Sequence, residues 1–542
     1  MTLVKYNISG NIVDVVSKRI FKGIITVEDH KITKITESEN VDNQYILPGL
    51  IDAHVHIESS MIIPSEFARL AVTHGTVATV SDPHEIANVI GMNGVNFMIN
   101  NGKKVPFKFY FGAPSCVPAT PFETSGASIN VADIDNLMSN PEIKYLSEMM
   151  NFPGVLFDDK EVMAKLAVAK KYKKPIDGHA PGLKGEDADK YVKSGITTDH
   201  ECFTTDEAID KINSGMKVQI REGSAAKNFD ALINLLSTHP DEVMLCSDDK
   251  HPNDLTYGHI NQLIIRAIKE GYNFIDIIRA CTYVPVKHYN LEVGLLQKGD
   301  AADFIIVDNL FDFNVLSTYI DGYKVAEKGK TLINSVEEEC PNIFKAKNIN
   351  PSDLEVAYEK PEIKVIKALE GQLITEKLVI EAKHNNGVII SDTERDILKI
   401  VVLNRYEYSK PSVAFINGFG FKKGAIASTV AHDSHNIIAV GCNDEDIAEA
   451  INLLINSKGG ISVVNKDLKY HLPLPVAGLM SNEDGFEVAH KYEFIDQKAK
   501  ELGSLLNAPF MTLSFMALLV IPELKLSDKG LFDGSIFEFT SL

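Results

Sequence analysis

The apolar positions of this chain change rhythm twice. Residues 1–46 carry short β-rich runs, NIVDVV, GIITVEDHKITKIT and YILPG, broken by Gly, Asp and Asn, which predicts strands joined by turns. From residue 47 the runs become continuously apolar and alternate with stretches of helical spacing, as strands buried on both faces of a parallel sheet demand. Eight such strands are predicted, at 49–57, 75–83, 106–116, 144–152, 174–180, 196–201, 216–222 and 242–249. Eight strand-then-helix units in about 240 residues match the size of a (β/α)₈ TIM-type barrel, placed at 47–289.

Past the barrel the texture reverts to strands. LEVGLLQKGDAADFIIVDNL and YIDGYKVAEKGK again carry Gly and Asp turns, so residues 1–46 and 290–340 are expected to be two halves of one small β-domain flanking the barrel. The Pro- and charge-rich segment CPNIFKAKNINPSD reads as a link. Residues 350–542 are expected to form a C-terminal domain of mixed helix and strand. The longest apolar run, MTLSFMALLVI at 511–521, is too short to span a bilayer and reads as a buried core element.

Composition narrows the partners. A net charge of -20 argues against nucleic acid, whose phosphates need clustered Lys and Arg. The opening MTLVKYNISGNIVDVV lacks the basic-then-apolar form of a signal peptide, and the six cysteines are scattered without a C-x-x-C pair. These features predict a cytoplasmic protein with no membrane partner. A small-molecule substrate and a homodimer are expected.

The chemistry lies at the strand ends. His54 and His56 stand two apart in GLIDAHVHI, and side chains at i and i+2 of a strand point the same way. In a (β/α)₈ barrel the catalytic groups gather at the C-terminal ends of the strands. Those ends supply Glu148 on the fourth, His179 on the fifth, His200 on the sixth and Asp248 on the eighth, with Asp249 beside it. Six such groups at one mouth predict a metal centre. Three histidines and a carboxylate satisfy one ion, while six ligands with a carboxylate able to bridge fit two divalent ions. Imidazole and carboxylate accept Zn, Fe or Mn alike.

Several segments carry a family resemblance: LPGLIDAHVHIESSM, VSDPHEIANVIG, APSCVPATPFETSGA, LSEMMNFPGV, DGHAPGL, TTDHE, IREGSAAKN, CSDDKHPNDL, GFGFKKGAIASTVAHDSHNIIAVG and LPLPVAGLMS. The chain resembles the amidohydrolase superfamily and, within it, the bacterial and archaeal adenine deaminases, over nearly its whole length. The resemblance implies hydrolytic deamination of adenine to hypoxanthine and ammonia in purine salvage. It implies His54, His56 and Asp248 on one ion, His179 and His200 on the other, and Glu148 bridging where many relatives carry a carbamylated lysine. Lys144, four residues earlier, stands at the strand's start, away from the mouth. Asp248 is the expected proton carrier. Glu201, Glu85 and His84 are candidates for protonating the purine ring, and Arg221, Glu222 and Ser115, with His84 and Glu85, for contacting it. Asp82 accompanies His84 as a group that orients the metal ligands. His432, Asp433 and His435 of AHDSHN are expected either to reach the mouth as a lid or to form a local turn network. The rival reading is another amidohydrolase, acting on a cyclic amide or an N-acetyl sugar.

Overall fold

The strands between residues 50 and 246 are buried on both faces and close on themselves. The computed structural model describes residues 5–542, so the first four residues of the predicted N-terminal half-domain lie outside the described residues. In chain order the closed set is β1 (Leu50–Val55), β2 (Thr76–Ser81), β3 (Lys108–Ala113), β4 (Ile143–Met149), β5 (Ile176–Gly178), β6 (Thr198–Asp199), β7 (Lys217–Arg221) and β8 (Val243–Cys246). Each overlaps its predicted segment. β1 to β5 form one parallel sheet and β6 to β8 another. Backbone bonds join the seams: Thr197 N donates to Ile176 O (2.8 Å), and Asp248 N donates to His54 O (2.9 Å). β1 and β2 are buried at every position, because helices cover the outer face and packed side chains fill the interior.

One eight-stranded sheet holds both chain segments that flank the barrel. Lys5–Asp14, Arg19–Glu28 and Lys31–Glu37 lie on one side, and Phe304–Val307, Val315–Ile320, Tyr323–Glu327 and Lys330–Thr331 on the other. Tyr45–Pro48 is the seam, parallel to the first of these strands and antiparallel to Phe304–Val307. Ile12, Ile25, Ile32 and Ile46 pack there against Phe304, which is how strands from distant parts of the sequence share one apolar face.

Residues 332–350 carry no regular element and lead to a second eight-stranded sheet, built from segments between Glu362 and Pro473. Helix Asp444–Ser457 buries Ile447, Ile451 and Leu454 against it. The helices Gly485–Lys500 and Pro509–Phe515 follow. Every position of Pro509–Phe515, within the longest apolar run, is buried. A single apolar cluster runs from Val55 and Ile86 of the barrel to Val430 and Phe515 of this last unit, so the unit sits on the barrel at the C-terminal ends of its strands.

Candidate metal centre and substrate cavity

β1 aims its two histidines into the barrel mouth from a backbone fixed from beneath. Asp52, fully buried, accepts from Ser247 N (3.0 Å) and pairs with His259 Nε2 (2.8 Å), which ties β1 to the loop after β8. Asp248 itself adopts the left-handed conformation, φ 56°, uncommon for a residue with a Cβ. Its backbone is held on both sides by β1, through His54 O and His56 N. That turn carries the carboxylate over the histidines.

The ligand atoms converge. His54 Nε2 and His56 Nε2 stand 3.2 Å apart, and Asp248 Oδ1 lies 3.8 and 3.3 Å from them. Across the mouth, Glu148 Oε2 lies 2.8 Å from His179 Nδ1 and 3.1 Å from His200 Nε2. The other oxygen, Oε1, lies 3.4 Å from His56 Nε2. One carboxylate thus presents one oxygen to each histidine group, the arrangement a bridging ligand needs. All six side chains are buried. His56 Nδ1 faces the carbonyl of Asp82 (3.3 Å), a contact that leaves Nε2 with its lone pair toward the mouth.

The electrostatics call for added positive charge. Burial, with His200 and His56 alongside, pushes His54 well below the ordinary imidazole range, the neutral form a metal requires. Burial would raise the Glu148 carboxyl, yet His179 and His200 hold it well below its usual range. Asp248 is likewise held low, against burial, chiefly by Arg221. Against burial, Glu201 and Glu148 raise His179 to about 9. Ionised carboxylates that draw protons onto buried imidazoles also favour a cation in the protons' place.

The remaining predicted residues separate into those at the cavity and those behind it. Arg221 lines the cavity and donates to Asp248 Oδ2 (2.6 Å) and to both oxygens of Glu201. Glu201 is thus engaged through both carboxylate oxygens by Arg221. His84 lines the cavity with Nδ1 on Asp82 (3.0 Å). Glu85 lines it too, both oxygens taken by His432 Nδ1 and His435 Nε2. The AHDSHN loop thus does reach the mouth.

Two expectations are corrected. Glu222 turns away, toward Arg266 (3.1 Å) and Lys227 (3.7 Å), because successive strand side chains face opposite ways. Ser115 sits behind Glu148, donating to its backbone carbonyl (2.6 Å). Lys144 belongs to a groove elsewhere, beside Glu142 and Phe109.

Sequence reasoning missed the cavity's apolar wall: Leu373, Phe515 and Leu518, all from the C-terminal unit. The signal for Phe515 and Leu518 was the apolar run at 511–521, which reads equally as core, and Leu373 had none. The inner cavity is about 30 Å³, room for a water or two. A larger cavity of about 380 Å³ adjoins it and shares Arg221 and Leu373.

Comparison with known proteins extends these findings. Residues 45–325 match the amidohydrolase family, and residues 372–538 match the adenine deaminase C-terminal domain. An adenine deaminase of Methanosarcina mazei is 55% identical over 546 residues, covering 98% of each chain. One from a Sulfurovum species is 55% identical over 531 residues, again 98% of each. Among solved structures, N-acetyl-D-glucosamine-6-phosphate deacetylase of Mycobacterium smegmatis is similar at 13% identity and a TM-score of 0.47, covering 59% of this chain and 99% of that one.

Proposed function

The chain belongs to the adenine deaminase family of the amidohydrolases and is a metal-dependent hydrolase that deaminates adenine; we propose that the groups around Glu148 carry out the reaction, with two divalent ions. His54, His56 and Asp248 would hold one ion, His179 and His200 the other, with Glu148 between them. The observation that carries this reading is the split of the Glu148 oxygens between the two histidine groups. Ions of the Mn, Fe or Zn kind bound there would supply the positive charge that acidifies a water for attack on C6 of adenine.

The chain's own residues do the rest. Asp248, kept ionised by Arg221, accepts a proton from the attacking water and delivers it to the departing ammonia. Arg221, itself held by Glu201, donates directly to that carboxylate and keeps it in place. Leu373, Phe515 and Leu518 keep bulk water from the reacting centre. Adenine enters by the larger cavity, whose lining includes Leu373 and Arg221.

The rival activities on a cyclic amide or an N-acetyl sugar have no support from relatives matched over the full chain. Among the described residues no helix is long and apolar enough to cross a membrane. The expected homodimer is part of this reading and is measurable by sedimentation. The deciding experiment is metal analysis beside adenine turnover for wild type and Glu148→Ala. Both metals and activity should fall together in the variant. Two metals retained with activity intact would remove Glu148 from the centre.

A further inference from the structure

Deamination needs a proton on the purine ring as well as a nucleophile, and four side chains around the cavity compete to supply it. Glu201 gives both oxygens to Arg221. Glu85 gives both to histidines. His84 places Nδ1 on Asp82 and turns Nε2 toward Glu85 (3.5 Å) and Asp433 (3.7 Å). His432 differs. Its Nδ1 is committed to Glu85, while its Nε2 is buried without a partner, on a side chain that lines the cavity. The ring stacks on Phe515, another wall of the same cavity, with centroids 4.9 Å apart and planes inclined by 21°.

We propose that His432, from the C-terminal unit, is a catalytic residue that donates its Nε2 proton to N1 of adenine, with Glu85 holding the imidazole through Nδ1. The proposal rests on the adenine reading above. Its chemistry balances. The water oxygen bonds to C6, and the C6–N1 π pair moves to N1 and takes the His432 proton. Asp248 carries the remaining hydroxyl proton to the amino nitrogen, the C6–N bond breaks, and ammonia leaves. The first proton shed by the water restores His432, so adenine and water become hypoxanthine and ammonia.

The neighbouring histidine is built for another task. Ala431 N donates to His435 Nδ1 (3.3 Å), which fixes the neutral tautomer with Nε2–H directed at Glu85. Burial pushes His435 below the ordinary imidazole range. Burial also works against charge on His432, yet Glu85 and Asp249 lift it to about 9. The titratable groups facing His432 are Glu85, Asp249, Asp433, His435 and His251. One histidine orients the carboxylate and the other holds a proton at neutral pH.

The test uses the metal-loaded full-length enzyme. His432→Gln should lower kcat for adenine on the order of 10²–10⁴-fold, with both metals retained and KM little changed. Wild-type turnover should fall as pH rises past about 9, and that alkaline limb should be absent from His432→Gln. Glu85→Gln, which keeps the imidazole but removes its counter-charge, should move the limb to lower pH. A kcat within threefold of wild type in His432→Gln, or an unmoved limb in Glu85→Gln, would overturn the proposal. Should His432→Gln fail to fold, the Glu85→Gln profile decides alone. Wild type that turns over no adenine would instead overturn the underlying reading.

Discussion

Arg221 shows how much one side chain holds together. It is 4% exposed and joins two buried carboxylates, Glu201 and Asp248. Removing one partner of a buried ionic group costs about 3–5 kcal/mol, since the other charges stay buried. Arg221→Met should therefore lower unfolding stability by that order, measured by denaturant titration, and should lower turnover as Asp248 loses its anchor. Unchanged stability would show that water already reaches this pair. Arg221 also marks what was legible at this scale. The convergence of the six candidate side chains could be read from strand ends because the barrel fixes where such ends point. Glu222 was read as facing the mouth with Arg221, although alternation past the end of β7 turns it away. The partner of Glu85 was not, because His432 and His435 lie about 350 residues away in sequence.

Among the elements, the strands were easiest to read, since runs such as VATVS bury every position. Helix Val131–Ser139 lies between β3 and β4, and the reciprocal capping box of Asn130 and Asp133 announces its start. The segment FDALINLLSTH, whose apolar spacing suits one helix, is two single turns, Phe229–Leu232 and Leu235–Thr238. The least legible contact joins two segments of the cavity wall. Lys525 Nζ, fully buried, donates to the carbonyls of Leu373 (2.6 Å) and Phe515 (2.9 Å). Burial lowers its pKa from 10.5 to about 7. Between those values the unfolded chain binds the extra proton, so this residue's stabilisation grows as pH rises, by up to about 1.4 kcal/mol per pH unit. Thermal unfolding of wild type and Lys525→Met between pH 7 and 10 should show that rise only in wild type. Parallel curves would mean that the amine is charged when folded.

At the scale of the molecule, the barrel and the C-terminal unit share one apolar core and one cavity. The sequence suggested separate units, because the linking segment 340–353 is polar and Pro-containing, and nothing local says where a unit docks. A chain ending at residue 349 should expose the surfaces that Val430 and Phe515 now cover. It should aggregate on size-exclusion chromatography and lose adenine turnover, even when metals are supplied. A monodisperse, active barrel would confine the C-terminal unit to a stabilising role.

The seam strand Tyr45–Pro48 has a consequence during synthesis. Its antiparallel partner is Phe304–Val307, so roughly 250 residues leave the ribosome before that edge can be filled. At about 5–20 residues per second the wait is on the order of 13–50 s. Throughout it the nascent chain presents an open strand edge, the kind of surface that recruits the wrong neighbour. The early hairpin of Lys5–Asp14 with Arg19–Glu28 can occupy only the other side of the seam. Ribosome-bound chaperones that guard such edges thus have a defined interval in which to act, and it closes when residue 307 emerges.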